Sequence, residues 1–281
     1  MNIQQRFTFL YIRSKLKFLS TINNEWAAEE TYRLICTPLL NTTVKKSEIF
    51  SRYNLITITI NGEKIRGYSC GSGNKTALIL HGFSSSSHNF DSYVENLISL
   101  GYKVFAFDAP AHGLSEGKTI NALEYSNFIL EIIKIYGKID SFICHSFGGI
   151  AIMLALENLK HDINTKIVLI APATETTTAI DHAFNFISIK NNKLKNALFK
   201  KIEETSGYPP EWFSIRRAVK NISASILWLH DVDDNITPVS DAMKVKDDAP
   251  PNVKFIFTKG LGHGRIYKDE KVQSEIFNFL Q

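Results

Sequence analysis

At the centre of this chain lies the stretch Ile143-Cys144-His145-Ser146-Phe147-Gly148-Gly149, in which one serine separates two structural patterns. The apolar residues before the serine are typical of a buried strand, and residues 150–159 after it have the apolar periodicity of a helix. A serine at such a strand-to-helix turn holds its hydroxyl clear of the backbone, and the first N–H groups of the helix favour negative charge beside it. The stretch therefore predicts that Ser146 is a nucleophile that attacks an acyl carbon.

Strand and helix patterns alternate on both sides of this turn. The strand candidates are Thr76–Leu80, Lys103–Asp108, Asp140–Cys144, Lys166–Ile170, Ser225–His230 and Lys254–Thr258. Helical stretches lie between most of them, at residues 88–99, 121–136, 147–160, 239–247 and 269–280. This alternation predicts an α/β fold with a mostly parallel twisted sheet and helices on both faces.

A hairpin is predicted ahead of the alternating region. The strand candidates Leu55–Ile60 and Lys64–Ser69 flank Asn61-Gly62, and Asn-Gly between two such runs is the strongest short hairpin signal. We therefore expect an antiparallel edge on the otherwise parallel sheet.

Residues 1–50 have a helical pattern and are predicted to form an N-terminal helical extension. The pattern breaks at Thr37-Pro38 and again at Asn41-Thr42-Thr43. The apolar run Phe7–Ile12 is interrupted soon afterwards by basic residues, so it is too short for a signal-peptide core or a membrane-spanning helix.

A second segment without strand signals lies between Ala173 and Ser223. About fifty residues are too many for a simple connection. We predict that residues 174–222 form a small helical cap, inserted over the C-terminal edge of the sheet where ligands bind in such folds. Residues 51–173 and 223–281 would then form the core.

The net charge of +4 is concentrated at the N-terminus. The remainder of the chain is nearly neutral, which predicts no surface for nucleic acid. Four cations precede the first acid, Glu25, and these are Arg6, Arg13, Lys15 and Lys17. We expect the N-terminal helix to pack on the domain; contact of this basic helix with an anionic membrane surface is the alternative.

Three cysteines, Cys36, Cys70 and Cys144, are widely spaced and odd in number. Their spacing indicates neither a disulfide framework nor a zinc site. The sequence therefore predicts a reducing compartment, the cytoplasm, and no bound metal.

A general base is predicted directly after the last strand candidate, in the run Gly262-His263-Gly264. Loops at the carboxyl ends of parallel strands share one rim of the sheet, so this loop is expected beside Ser146. A glycine on each side allows an unusual loop conformation that exposes the ring of His263. His145, although adjacent to the serine, is expected to point away from the Ser146 side chain.

The base needs a carboxylate that fixes its tautomer, and the segment His230–Pro238 offers three. The chain order serine, acid, histidine fits this architecture. Asp234 is the predicted acid because it lies in the body of the loop before the helix start at Pro238, and Asp233 is the alternative. The same acids do not fit a calcium loop, because isoleucine occupies the position that requires glycine.

Two backbone N–H groups are expected to bind the oxyanion. One belongs to Phe147, directly after the nucleophile, and the other to Phe83, in the loop His81-Gly82-Phe83-Ser84-Ser85 after the first parallel strand candidate. Loss of one such donor typically lowers turnover by about 100- to 1000-fold.

Taken in order, these motifs resemble those of the α/β-hydrolase superfamily over about residues 50–281. The matching segments are the oxyanion motif at His81-Gly82, the loop Asp108–Ser115, the elbow at Ser146, the acid loop His230–Pro238 and the histidine loop at Gly262-His263. Two positions depart from the usual pattern, since Cys144 and Asp231 stand where glycine is common. The resemblance implies an esterase- or lipase-like enzyme of the α/β-hydrolase fold, with a helical N-terminal extension and a helical cap.

The ordered set predicts a serine hydrolase that cleaves a small-molecule ester or thioester through an acyl-enzyme, with no cofactor. Carbon–carbon bond hydrolysis and perhydrolysis on the same triad are alternatives, as is a non-catalytic ligand-binding protein that keeps the fold. A prolyl aminopeptidase-like role is disfavoured, because the glycine- and proline-rich oxyanion motif of that group is absent.

Overall fold

The computed structural model describes residues 3–39 and 47–281 and divides the chain into two compact units. Unit 1 comprises Met1–Thr37 and Glu175–Ser214, and unit 2 comprises Pro38–Thr174 and Ile215–Gln281. The predicted break at Asn41-Thr42-Thr43 lies outside the described residues. The domain boundaries at residues 50, 173 and 223 stay predictions of the sequence.

Unit 2 contains one sheet of eight strands among the described residues. The strands are β1 (Asn54–Ile60), β2 (Glu63–Cys70), β3 (Lys75–Leu80), β4 (Tyr102–Phe107), β5 (Ser141–His145), β6 (Lys166–Ile170), β7 (Ser225–Asp231) and β8 (Val253–Thr258). Their order in the sheet is β1-β2-β4-β3-β5-β6-β7-β8. The pairs from β4 to β8 are parallel, whereas β1–β2 and β2–β4 are antiparallel. The predicted mostly parallel sheet with an antiparallel edge is confirmed.

The helices account for most of the remaining described residues. They are α1 (Ile3–Ile22), α2 (Asn24–Cys36), α3 (Asp91–Ser99), α4 (Ala122–Tyr136), α5 (Phe147–Leu156), α6 (Thr176–Phe186), α7 (Asn192–Ser206), α8 (Ile215–Ala218), α9 (Val239–Asp247), α10 (Gly262–Arg265) and α11 (Glu270–Leu280). The predicted helices in the sheet region are all present, and α5 ends at Leu156, four residues earlier than its periodicity suggests.

The edge hairpin forms for the expected stereochemical reason. Asn61 and Gly62 both have positive φ angles, 53° and 86°, which a two-residue type I′ turn requires at both central positions. Ile60 pairs with Glu63 directly beside the turn. The twist of this turn matches that of the flanking strands, so the register of β1 on β2 is fixed locally.

The central strands carry the core because they are apolar on both faces. All five residues of β5 are buried, as expected for a parallel strand covered by helices on each side. Cys144 of β5 pairs with Leu80 of β3 and Leu169 of β6. The loops after β3, β5, β7 and β8 leave the same edge of the sheet, and these are the loops that hold the predicted site residues.

Unit 1 brings together two segments that are distant in the sequence. Helix α2 packs against α7, where Leu194 and Leu198 are fully buried. Lys201 forms an ion pair with Glu29, and Asn191 hydrogen-bonds Asn24 at 3.3 Å. The N-terminal helices and residues 175–214 therefore form one helical unit.

Among the described residues, no helix combines the length and the apolar character needed to cross a bilayer.

Candidate active site

Ser146 occupies a strained turn between β5 and α5. Its φ and ψ angles are 52° and −113°, a left-handed conformation that non-glycine residues rarely adopt and that is retained at sites where surrounding structure holds it. Its N–H donates to the carbonyl of Ile170, and its own carbonyl accepts from Gly149 and Ala173, at 3.0 to 3.1 Å. Three main-chain hydrogen bonds thus hold the turn that presents the hydroxyl.

The glycine after this turn permits close packing of α5 on the sheet. A Cβ added to Gly148 would lie 2.6 Å from the carbonyl oxygen of Leu80, at the end of β3. Only a residue without a side chain fits there. The close approach sets the start of α5 against the loop that follows β3.

His263 connects the serine to a carboxylate. The ring lies on α10, with Nε2 3.0 Å from Ser146 Oγ and Nδ1 2.8 Å from Asp234 Oδ2. An ionised carboxylate only accepts hydrogen bonds, so Nδ1 carries the proton, and Nε2 is left to accept from the serine hydroxyl. This is the tautomer that a general base for Ser146 requires.

Asp234 is fixed from several directions. Its Oδ1 accepts from the N–H groups of Ile236 and Thr237 at 2.8 and 3.0 Å, and its Oδ2 also accepts from the Thr237 hydroxyl at 2.9 Å. Burial disfavours its charged form, but the hydrogen bond and charge of His263 and these N–H groups outweigh burial, so the pKa of Asp234 is lowered. The carboxylate is thereby kept ionised and oriented.

The alternative acid, Asp233, lies elsewhere. Its Oδ2 accepts from the N–H of Gly260 at 3.0 Å, and the structure brings Asp234 to His263 instead. Asp231 ties the same loops together, because it accepts from the Thr258 hydroxyl at 2.7 Å and from the Leu261 N–H at 3.0 Å. Asp231 and Asp233 therefore hold the segment that leads from β8 to His263.

The two expected oxyanion donors flank the serine. Phe147 is the first residue of α5, and a Cβ added to Gly82 would lie 3.1 Å from Ser146 Cβ, so the loop that carries Phe83 runs beside Ser146. The rings of Phe83 and Phe147 meet edge to face with centroids 5.5 Å apart. Within the described part of the chain, neither N–H group donates to another protein group.

Two buried histidines hold the oxyanion loop. His81 donates from Nδ1 to the carbonyl of Gly82 at 2.8 Å and accepts at Nε2 from the N–H of Ala109 at 2.9 Å. His112 accepts at Nε2 from the N–H of Ser84 at 3.0 Å. Burial lowers the pKa of both rings, that of His112 to about 4. Each ring is therefore neutral at pH 7 and able to accept.

Asp108 completes this support. It accepts from both the N–H and the hydroxyl of Ser87 at 2.8 Å, and from the N–H of Leu114 at 2.8 Å. The Asp108–Ser115 loop, which the sequence singled out as a motif, therefore holds the segment that follows Phe83 in place through hydrogen bonds to Ser87.

His145 is a residue whose part in the site the sequence does not reveal. Its Nε2 donates to the main-chain carbonyl of His263 at 3.1 Å, and the two ring centroids are 4.7 Å apart. Burial, followed by the neighbouring His263 ring, lowers the pKa of His145 to about 3. The neutral ring of the residue before Ser146 therefore holds the main chain of His263.

Among the residues that the structure describes, no group of three or more histidine, cysteine or acidic side chains is placed to hold a metal ion. The chemistry that the arrangement itself offers is that of an activated serine with a positioned base and two free N–H groups beside it.

Comparison with known proteins identifies a family model that matches part of this chain. The Hydrolase_4 family model, described as serine aminopeptidase S33, matches residues 72–219, which is just over half of the chain. The matched range contains Ser146, Phe83 and Phe147, and ends before Asp234 and His263. Among curated proteins, none matches the chain in sequence.

Solved structures show the same fold. An esterase from Pyrococcus furiosus is 20% identical, with a TM-score of 0.65 over 87% of this chain and 97% of that one. Mouse α/β hydrolase domain-containing protein 10 is 18% identical, with a TM-score of 0.60 over 80% and 96%. The esterase Est1E from Butyrivibrio proteoclasticus, solved with ferulic acid, is 18% identical, with a TM-score of 0.61 over 80% and 97%. At these identities the similarity shows the α/β-hydrolase fold.

Proposed function

This chain belongs to the Hydrolase_4 family, described as serine aminopeptidase S33, and from that premise we propose that it is a serine hydrolase that cleaves carboxylic esters or thioesters. The observation that carries the proposal is the continuous hydrogen-bonded path from Ser146 Oγ through His263 to Asp234, at 3.0 and 2.8 Å. Nucleophile, base and orienting acid at such distances are the arrangement that activates a serine for acyl transfer.

Acylation begins when Ser146 Oγ attacks the acyl carbon and its proton passes to Nε2 of His263. The imidazolium that forms is stabilised by the ionised Asp234. The N–H groups of Phe83 and Phe147 bind the oxygen that becomes negative in the tetrahedral intermediate. When the intermediate collapses, the bond to the alcohol or thiol breaks, and the leaving group takes the proton from His263.

Deacylation repeats these steps with water. His263 removes a proton from the water as it attacks the acyl-enzyme, and the same N–H groups bind the second oxyanion. Collapse releases the acid and returns the proton to Ser146. Each step uses side chains and main-chain groups of this chain.

An ester or thioester is preferred as the substrate because the named structural neighbours include esterases and the thioesterase domain of the curacin pathway. The description of the family itself names an aminopeptidase. The glycine- and proline-rich oxyanion motif expected of a prolyl aminopeptidase is absent from the His81–Ser85 loop. We therefore favour oxygen or sulfur leaving groups over amines.

A cytoplasmic location is part of this proposal. All three cysteines are buried, and Cys70 and Cys144 form no disulfide, which is typical of proteins of a reducing compartment.

Turnover of substrate panels tests the proposal. We expect hydrolysis of 4-nitrophenyl esters or acyl thioesters of some chain length, and much slower hydrolysis of aminoacyl 4-nitroanilides. Ser146→Ala should lower ester turnover by about 10⁶-fold, with an unchanged melting temperature as the check on folding. Unchanged ester turnover in the variant would refute the proposal, and faster hydrolysis of the anilides would reassign the substrate class to amides.

A further inference from the structure

Thr237 lies where three loops at the carboxyl edge of the sheet meet. It belongs to the loop between β7 and α9, which also carries Asp234. Its Oγ1 lies 2.9 Å from Asp234 Oδ2 and 3.2 Å from Nδ1 of His263, in the loop after β8. The same Oγ1 is 3.2 Å from the main-chain oxygen of Ala171, directly after β6. One buried hydroxyl therefore contacts all three loops.

The Thr237 hydroxyl has one proton to donate and two lone pairs that accept. The Asp234 carboxylate is both nearer than the Ala171 oxygen and charged, so it is the better acceptor for that proton. A lone pair of Oγ1 then faces the N–H of His263 Nδ1. The three atoms Nδ1, Oδ2 and Oγ1 form a closed triangle with sides of 2.8, 2.9 and 3.2 Å.

The main chain of Thr237 is fixed on both sides, which sets the position of this hydroxyl. Its N–H donates to Asp234 Oδ1 at 3.0 Å, and its carbonyl accepts from Nε2 of His230 at 2.8 Å. His230 in turn accepts at Nδ1 from the indole N–H of Trp228 at 3.4 Å. His230 and Trp228 are fully buried in β7, so Thr237 is tied to the sheet itself.

The ring of His263 is a side chain that needs such support. A Cβ added to either flanking glycine would meet little, since Gly264 has no atom within 4 Å of that position and Gly262 has one at 4.0 Å. The His263 side chain is also 17% exposed. The orientation of the ring therefore depends on what its Nδ1 meets, and those partners are Asp234 and Thr237.

We propose that Thr237 is a positioning residue for the pair Asp234 and His263, an inference that rests on the proposed hydrolase function. Its hydroxyl keeps Asp234 Oδ2 directed at Nδ1 and gives the Nδ1 proton a second acceptor. The ring is thereby held with Nε2 toward Ser146 Oγ. Because Thr237 acts through these two side chains, its loss should change kcat and leave KM nearly unchanged.

Substitutions that separate the hydroxyl from the shape of the side chain test the proposal. Thr237→Val keeps the shape and loses the hydroxyl, and it should lower kcat on a 4-nitrophenyl ester by about tenfold, since small misplacement of a catalytic group has effects of at least this size. Thr237→Ser keeps the hydroxyl and should retain most of the wild-type kcat. Thr237→Ala, which adds no methyl group, should lose kcat as the valine variant does.

The matched control is Thr165→Val. Thr165 is also buried, but it precedes β6 and so lies at the opposite edge of the sheet from Ser146, which follows the parallel strand β5. This variant should keep the wild-type kcat and KM. The melting temperature of each variant reports whether it folds.

A second readout needs no turnover. In proton NMR of protein with ¹⁵N-labelled histidine, the Nδ1 proton of His263 should give a downfield resonance that is absent from His263→Gln. A proton held between Asp234 and Thr237 exchanges slowly with water. The resonance should therefore stay sharp in Thr237→Ser and broaden or disappear in Thr237→Val.

Equal kcat and an equally sharp resonance in the wild type and Thr237→Val would overturn the proposal, and so would equal losses of kcat in the valine and serine variants. If these results came with loss of turnover in Ser146→Ala, the proposed hydrolase would stand without this role for Thr237. A resonance that broadens in Thr237→Val, in a protein whose wild type hydrolyses no ester or thioester, would instead support the hydrogen bond and refute the hydrolase function on which the proposal rests.

Discussion

Nε2 of His145 lies 3.1 Å from the main-chain oxygen of His263. The residue before Ser146 thereby holds the main chain of His263, although the two residues are 118 positions apart. The contact fixes where the His263 ring stands relative to Ser146. It makes His145 a positioning residue, which acts through the main chain of His263 and through contact with its ring.

We predict that His145→Leu lowers kcat by about 10- to 100-fold with little change in KM, since small misplacement of a catalytic group has effects of this size. His145→Gln keeps an N–H donor and should recover part of the loss. Steady-state kinetics on a 4-nitrophenyl ester, together with melting temperatures, measure both effects. Equal kcat values for the leucine and glutamine variants would show that the hydrogen bond has no such role.

The two candidate acids provide a matched pair. Asp234→Asn removes the carboxylate that fixes the His263 tautomer and should lower kcat by about 10⁴-fold. Asp233→Asn keeps a side-chain oxygen that can accept from the Gly260 N–H, and it should lower kcat far less than Asp234→Asn does. Comparison of kcat at one pH decides between them, and a larger loss in the Asp233 variant would reverse the assignment.

The close packing of the turn after Ser146 should make the stability of the protein sensitive to a side chain at Gly148. Gly148→Ala places a methyl group 2.6 Å from the carbonyl of Leu80, which should cost about 1 to 3 kcal/mol of unfolding free energy. In Gly264→Ala the added Cβ meets nothing within 4 Å, and no loss of stability is expected. Urea denaturation measures both variants, and equal stability of the two would contradict the close approach of α5 to β3.

The buried neutral histidines should make the folding stability of the protein sensitive to acid. Burial lowers the pKa of His145 to about 3 and that of His112 to about 4, whereas an unfolded histidine titrates near 6.5. Between these values the unfolded chain binds more protons, so stability is complete above about pH 6.5 and falls as the pH drops toward 3. Each such group contributes a slope of about 1.4 kcal/mol per pH unit.

Urea denaturation between pH 4.5 and 7.5 tests this dependence. His112→Gln should reduce the slope of the unfolding free energy against pH by about 1.4 kcal/mol per pH unit, which is the contribution of one proton. The control His182→Gln removes an exposed histidine of α6 and should leave the slope unchanged. A wild-type stability that is flat or rises on acidification would show that the buried histidines do not make the fold sensitive to acid.

The sheet was predictable because its signals are local. Each central strand is a short continuous apolar run bounded by turn residues, and the observed β5, Ser141–His145, differs by one residue from its prediction at Asp140–Cys144. The hairpin at Asn61-Gly62 follows from two positive φ angles. The candidate site could be predicted in part, because its motifs directly follow parallel strands whose carboxyl ends lie at the same edge of the sheet.

Features that depend on distant partners were not predictable. The ring of His145 finds its acceptor in the His263 loop, and α2 packs on α7 across more than 150 residues of sequence. Helix α5 ends early where Glu157 forms an ion pair with Arg217, a contact that no periodicity reveals. Tertiary contacts of this kind have no local signal, because they depend on the folded arrangement of separate segments.

The most direct test of the central claim, an activated Ser146 beside a formed oxyanion hole, is intact-mass labelling with a fluorophosphonate. We expect one covalent adduct on the wild type, none on Ser146→Ala, and strongly slowed labelling of Asp234→Asn. A folded wild-type protein that forms no adduct, or a Ser146→Ala variant that is labelled as fast as the wild type, would contradict it.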